Sequence, residues 1–227
     1  MTAPPPDASG HRARLRQRLF EGGGDALLDH ELIEYLLALA IPRRDTKPLA
    51  RLLLHEFGGI GGLLAADGAA LARVPGMGET SAAAIKIAHA AALRLLRAEI
   101  VDKPVLSNWQ ALLDYLRADM AHHGVERVRV LLMDSKNRLI RDELMNEGTI
   151  DEAPLYAREV IRRAMDLKAS GLILVHNHPS GDPIPSRADI EVTRLVASAG
   201  KPLNIALHDH IIIASSGHTS LRAQGLL

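Results

Sequence analysis

One stretch constrains this chain more than any other: Leu172-Ile-Leu-Val-His176-Asn-His178-Pro-Ser-Gly-Asp-Pro-Ile-Pro-Ser186-Arg-Ala-Asp189. The apolar run is short, branched and bounded by Gly171 and Pro179, which reads as a buried strand. Side chains alternate along a strand, so His176 and His178 project from one face. Ser186 stands where a helix would begin, with Pro185 before it and Ile190, Val192, Leu195 and Val196 at helical spacing after it. As an N-cap, Ser186 accepts a backbone N–H, and Asp189 three residues on suits the positive end of the helix. That cap holds Asp189 in the first turn, close to the strand end that carries the histidines. Two imidazoles and one carboxylate form the ligand set of a catalytic zinc ion, which keeps its fourth position for water. Taken separately, H-x-H fits two ordinary histidines and S-x-x-D fits a plain helix cap. The capping and metal roles are compatible.

The combination of H-x-H and, after seven residues, S-x-x-D resembles the motif of the JAB/MPN metalloprotease family. His176, His178, Ser186 and Asp189 match its fixed positions. The wording His-Asn-His-Pro-Ser-Gly-Asp, with Asp209-His-Ile-Ile-Ile later, is similar to the bacterial RadC branch of that family. So is Glu21-Gly-Gly-Gly-Asp-Ala-Leu-Leu-Asp-His-Glu-Leu near the start, which extends the likeness over nearly the whole chain. The resemblance implies an α/β fold: an α+β, cytidine-deaminase-like MPN/JAB domain with a mixed sheet flanked by helices. A small all-α, helix-hairpin-helix-like domain would precede it. The expected division is a disordered tail over residues 1–10, a helical domain over 11–100 and the JAB/MPN domain over 101–227.

Composition narrows the remaining choices. Apolar residues make up 47% of the chain and aromatics 3%, so the core has to be built from Leu, Ile, Val and Ala. Lys+Arg and Asp+Glu are 27 each, which leaves no net charge to draw the chain to nucleic acid or an acidic membrane. There is no cysteine, which excludes disulfides and thiolate zinc sites. The opening Met-Thr-Ala-Pro-Pro-Pro-Asp lacks the apolar segment of a signal peptide, and no apolar run approaches a membrane span. A soluble, cytoplasmic protein is the expectation.

Along the chain, His11-Arg-Ala-Arg-Leu-Arg-Gln-Arg18 reads as a solvated helix face. Leu27, Leu28, Leu32, Ile33, Leu36 and Leu37 predict a helix over 25–40, and helices follow at about 47–57, 60–66, 68–72 and 80–98. Val74-Pro-Gly-Met-Gly78, between two of these, resembles a helix-hairpin-helix turn. Gly76 and Gly78 are candidates for holding a phosphate at the helix start, which would make DNA a partner. Residues 1–100 carry twelve Lys/Arg against eleven Asp/Glu, a poor electrostatic footprint for DNA, so a hairpin used for packing is preferred. Val101-Asp-Lys-Pro104 reads as a linker. A helix over 109–120, a hairpin of strands at 127–133 and 138–145, and a helix over 155–168 opened by Pro154 are predicted next. Two last strands are predicted at Leu203–Leu207 and His210–Ala214.

The family likeness implies a glutamate on an upstream strand, acting as base and then acid. Glu143 is preferred for it over Asp142 and Glu147, because it stands mid-strand. The mechanism implied is one Zn2+ held by His176, His178 and Asp189, a water activated by Glu143, and an oxyanion met by the Ser186 hydroxyl. Of the second H-x-H, His208-Asp-His210, no S-x-x-D follows; it reads as structural or supporting, with Asp209 a candidate to orient a ligand imidazole. The expected substrate is a peptide or protein, cut at a peptide or isopeptide amide. The alternative is a DNA repair or recombination protein that binds through the helical half, its metal site structural or regulatory.

Overall fold

The computed structural model describes residues 7–101, 103–148 and 155–227. Residues 1–6 of the Pro-rich tail, Asp102 of the linker and Pro154 lie outside them. The chain divides into two compact units, the second running over Leu93–Leu227.

The first unit is helical. Its elements are α1 (Asp7–Gly22), α2 (Asp29–Ala40), α3 (Lys47–Glu56), α4 (Ile60–Ala65), α5 (Gly68–Arg73) and most of α6 (Glu79–Ala98). The helix α1 starts at Asp7, inside the stretch expected to be disordered; Asp-Ala-Ser after the prolines contains no residue that breaks a helix. Ile33 and Leu37 lie one turn apart on α2 and meet Leu49, Leu53, Leu63, Leu71 and Ile85 in an aliphatic core. The turn before α6 needs glycine at position 76, where φ is 95°. The division into units falls at Ala92–Leu93, within α6, rather than at residue 100. The last turn of α6 and the residue pair after it belong to the second unit, because Leu96 and Ile100 pack in its core.

The second unit is a five-stranded sheet in the order β2-β1-β3-β4-β5. The strands are β1 (Glu126–Met133), β2 (Leu139–Gly148), β3 (Gly171–Asn177), β4 (Ala206–Ala214) and β5 (Gly217–Ser220). Asn137, at φ 57°, closes the tight β1–β2 hairpin. The pairs β1–β2, β1–β3 and β4–β5 are antiparallel, while β3 and β4 are parallel, which makes the sheet mixed. Parallel neighbours require a crossover; here it contains α9 (Arg187–Gly200).

Alternation sorts the sheet into two faces. Leu131, Met133, Ile173, Val175, Ile211 and Ile213 pack with Leu112, Leu116 and Met120 of α7 (Trp109–Met120). The residues between them, Val130, Leu132, Leu172 and Leu174, pack with Val160, Ile161 and Ala164 of α8 (Ala157–Asp166) and Val196 of α9. His176 continues the series of Leu172 and Leu174, so it lies on the α8/α9 face at the end of β3. The two strands expected at 203–207 and 210–214 are one strand, β4. A register shift lets Leu207 pair with Leu172 and Asp209 with Ile173, so His208 is the extra residue of a bulge. The bulge breaks the alternation and disguises β4 as two pieces.

Candidate metal centre

Three side chains converge where the end of β3 meets the start of α9. His176 is 2% exposed and His178 half-buried. The two Nε2 atoms are 2.9 Å apart. Asp189 Oδ1 lies 3.2 Å from His176 Nε2, and Asp189 Oδ2 lies 3.6 Å from His178 Nε2. A tetrahedral ion bound at about 2.0–2.1 Å separates neighbouring ligand atoms by about 3.3 Å. The His176–His178 and His176–Asp189 Oδ1 spacings lie near that value, and one donor atom from each of the three residues falls within 4.8 Å of the others. His178 Nδ1 sits 2.8 Å from the Asp182 carbonyl, which can only accept, so Nδ1 carries a hydrogen and Nε2 is the nitrogen turned to the other two residues. The donor set and its spacing therefore fit a divalent ion such as zinc. Among the described residues, this is the group of His, Asp and Glu side chains that could hold one.

Local sequence explains Asp189. Ser186 caps α9, accepting the Asp189 N–H, while the Asp189 carboxylate accepts the Ser186 N–H at 2.7 Å. The Ser186 hydroxyl donates to Asp189 Oδ2 at 2.6 Å. It is thus committed to a ligand carboxylate instead of standing free as an oxyanion donor, the role expected of it. Burial pushes the Asp189 carboxyl up, but the two imidazoles and Ser186 outweigh it and hold the carboxyl well below the ordinary range. Asp189 in turn raises the His178 imidazole, against burial.

Glu143 does not join this group. It pairs with Val130, which pairs on its other side with Leu174, so it is two strands from β3, about 10 Å across, and two residues short of His176. Its carboxylate makes a two-point contact with Arg163 of α8, which lowers its pKa. The competing acids are committed too. Asp142, on the α7 face, binds Tyr115 and Arg129, and Glu147 binds Arg127.

The glutamate that lies beside the triad is Glu126, which the reading from sequence missed. Val128 pairs with His176. Continuing that antiparallel register by two residues brings Glu126 against His178 on the same face. Asn177, fully buried between the two histidines, locks this register: its Oδ1 accepts the Arg127 N–H at 2.8 Å and its Nδ2 donates to the Val125 carbonyl at 3.0 Å. Glu126 Oε2 is buried and without a hydrogen-bond partner. Burial pushes the carboxyl up, opposed by His176 and His178. The signal was in the sequence only as register: Glu126 opens the period-2 run that feeds β1.

Two families of comparison bear on this arrangement. A family model described as RadC-like JAB domain matches residues 106–226, and one described as UPF0758 N-terminal matches residues 9–83. The chain belongs to the RadC family. A UPF0758 protein of Rhodobacter capsulatus is 52% identical over 213 residues, which covers 94% of this chain and 100% of the relative. The triad and Glu126 all fall inside the JAB match.

Behind the RadC-family triad, His210 Nε2 lies 2.8 Å from His176 Nδ1, and Thr193 Oγ1 lies 2.6 Å from His210 Nδ1. Burial pushes the His210 imidazole down to about 3. Asp209, expected as a partner for a ligand imidazole, is not one. It pairs with Ile173 and so lies on the α7 face, opposite His176. There it accepts from the N–H groups of His210 and Arg222 and from the Ser220 hydroxyl. At the glycines expected to cradle a phosphate, the Gly78 N–H donates to Ser81 Oγ at 2.9 Å, and Glu79 occupies the first turn of α6, where a phosphate would meet its charge. Among the described residues, no helix is long and apolar enough to cross a membrane.

Proposed function

We propose that this RadC-family chain is a zinc-dependent hydrolase that cuts an amide, a peptide or isopeptide bond, with Glu126 as general base and acid. The observation that carries the reading is a carboxylate with an unpartnered, buried oxygen beside a convergent set of two histidines and one aspartate. His176, His178 and Asp189 would hold a divalent ion, which would supply Lewis acidity toward a carbonyl and a water. Glu126 is the residue placed to take a proton from a water beside the triad and to give it to the departing nitrogen, which leaves poorly unless protonated. Its raised pKa suits both halves of the task. Ser186 keeps Asp189 aimed at the centre. Zinc is favoured because two imidazoles and one carboxylate match its common catalytic ligand sets.

The test is hydrolysis of generic peptide and isopeptide substrates by the full chain, with and without chelator. Chelator-sensitive cleavage that zinc restores supports the proposal. Cleavage indifferent to chelator, or none with zinc fully bound, counts against it.

A further inference from the structure

We propose that a cleft on the α7 face of the sheet binds a small carboxylic acid with an apolar body, its carboxylate held by Arg222 and its body lying against Trp109 and Leu106. The cleft lies wholly within the second unit and has a volume of about 460 Å³. A volume of that order encloses a whole small molecule. The site is independent of the proposed hydrolysis, because Asp209, which lines it, stands on the opposite sheet face from His176.

Three parts of the chain build it. The short helical turn Val105–Ser107 brings Leu106, which is 38% exposed, and α7 opens with the half-buried Trp109. The strands supply the floor: Ser220 of β5 pairs with Ile211 of β4, which sets it on the α7 face beside Asp209. His208, the extra residue of the β4 bulge, lies over the start of β3. Gly171 makes room for it there, since an added Cβ would sit 2.4 Å from His208 Nε2. The turn after β5 closes the rim with Arg222 and Ala223. The lining is mostly apolar, which suits a ligand with an apolar body.

The charges in the lining set the sign of the ligand. Asp209 is 3% exposed, and its carboxylate already accepts from the N–H groups of His210 and Arg222 and from the Ser220 hydroxyl. It belongs to the floor and leaves little for a ligand to bind. Arg222 is the opposite case. Its Nε and Nη2 donate to the carbonyls of His208 and Leu207, which leaves Nη1, and among the described residues no carboxylate touches this guanidinium. A guanidinium without a counter-ion is a ready partner for a carboxylate. Burial, then Arg222, push the His208 imidazole down, so it adds an uncharged edge. The first turn of α7 carries no acid that would repel an anion. A dianion would bring more charge than one guanidinium meets, with Asp209 beneath it; a single carboxylate matches.

Trp109 is the chain's single tryptophan, so its fluorescence reads this cleft without interference from another indole. N-acetyl-leucine titrated into the full chain should change that emission saturably at millimolar concentrations or below. N-acetyl-leucinamide, the same body without the charge, should bind about 10-fold more weakly or worse. Arg222→Gln should lose the acid to the same extent. Because Arg222 also braces two carbonyls of β4, Ala223→Glu provides a second variant, at an exposed position. It places a carboxylate on the rim and should weaken N-acetyl-leucine binding about 10-fold with the circular dichroism unchanged. Emission unmoved at millimolar acid, or equal binding of acid and amide, overturns the proposal. So does a folded Ala223→Glu chain that binds as wild type does. A pentapeptide ending in leucine that binds more tightly than N-acetyl-leucine would overturn the small-acid assignment in favour of a docking site for chain ends.

Discussion

Replacing Glu126 by Gln should move activity and stability in opposite directions. Burial raises the Glu126 carboxyl, and one of its oxygens has no partner. A carboxyl whose pKa is higher in the folded than in the unfolded chain favours folding when protonated and opposes it once ionised. The metal-free wild type therefore carries a cost at pH 8 that disappears below the unfolded carboxyl value of about 4.3. Gln is neutral at both pH values. Leaving one buried acceptor unpaired costs about 1–3 kcal/mol, so the metal-free Gln variant should be up to about 1 kcal/mol more stable at pH 8 and no more stable near pH 4. Loss of a general base, the role proposed for Glu126, costs about 10²- to 10⁴-fold in kcat, equivalent to about 3–5 kcal/mol. Glu143→Gln supplies the contrast. Its contact with Arg163 joins side chains 16% and 30% exposed, so its loss should cost about 1 kcal/mol of stability and leave kcat unchanged. Urea unfolding at the two pH values, beside steady-state hydrolysis with zinc, measures all of this. Full activity in Glu126→Gln with loss in Glu143→Gln would refute the assignment.

Three further outcomes follow from other parts of the fold. Asp209→Ala strips the acceptor from two backbone N–H groups and the Ser220 hydroxyl in a site 3% exposed; it should lower stability by about 3 kcal/mol in urea unfolding while zinc stoichiometry holds, since Asp209 lies on the opposite sheet face. Arg18, then the Leu28 N–H, hold the Glu31 carboxyl down at about 2, so its contribution is present above the ordinary carboxyl value and is lost as pH falls toward 2. Urea midpoints between pH 6 and 2 should accordingly fall more steeply for wild type than for Glu31→Gln. At Gly76 an added Cβ would sit 2.6 Å from Arg44 Nη2 at a φ of 95°, so Gly76→Ala should lower the melting temperature, with a cost of about 1–3 kcal/mol.

What could be read from sequence was what is local. His176 and His178 share a strand face because strands alternate, and Ser186 and Asp189 share a helix turn because capping fixes them; neither depends on distant partners. The family likeness and the mixed sheet rest on the same stretch. Glu126 was invisible because its position depends on how β1 registers against β3, fifty residues away, and on the Asn177 side chain that sets the register. Glu143 was attractive for its place mid-strand, but an arginine one helix away takes its charge. Asp209 and His210 are neighbours that point to opposite faces, and the bulge at His208 hid which of them meets His176.

Zinc titration of the metal-free chain, followed calorimetrically, shows whether His176, His178 and Asp189 hold an ion. One ion per chain should bind to wild type and to Glu126→Gln alike, with binding lost in His178→Ala and in Asp189→Ala. No binding by wild type, or an undiminished site in His178→Ala, would contradict the metal assignment.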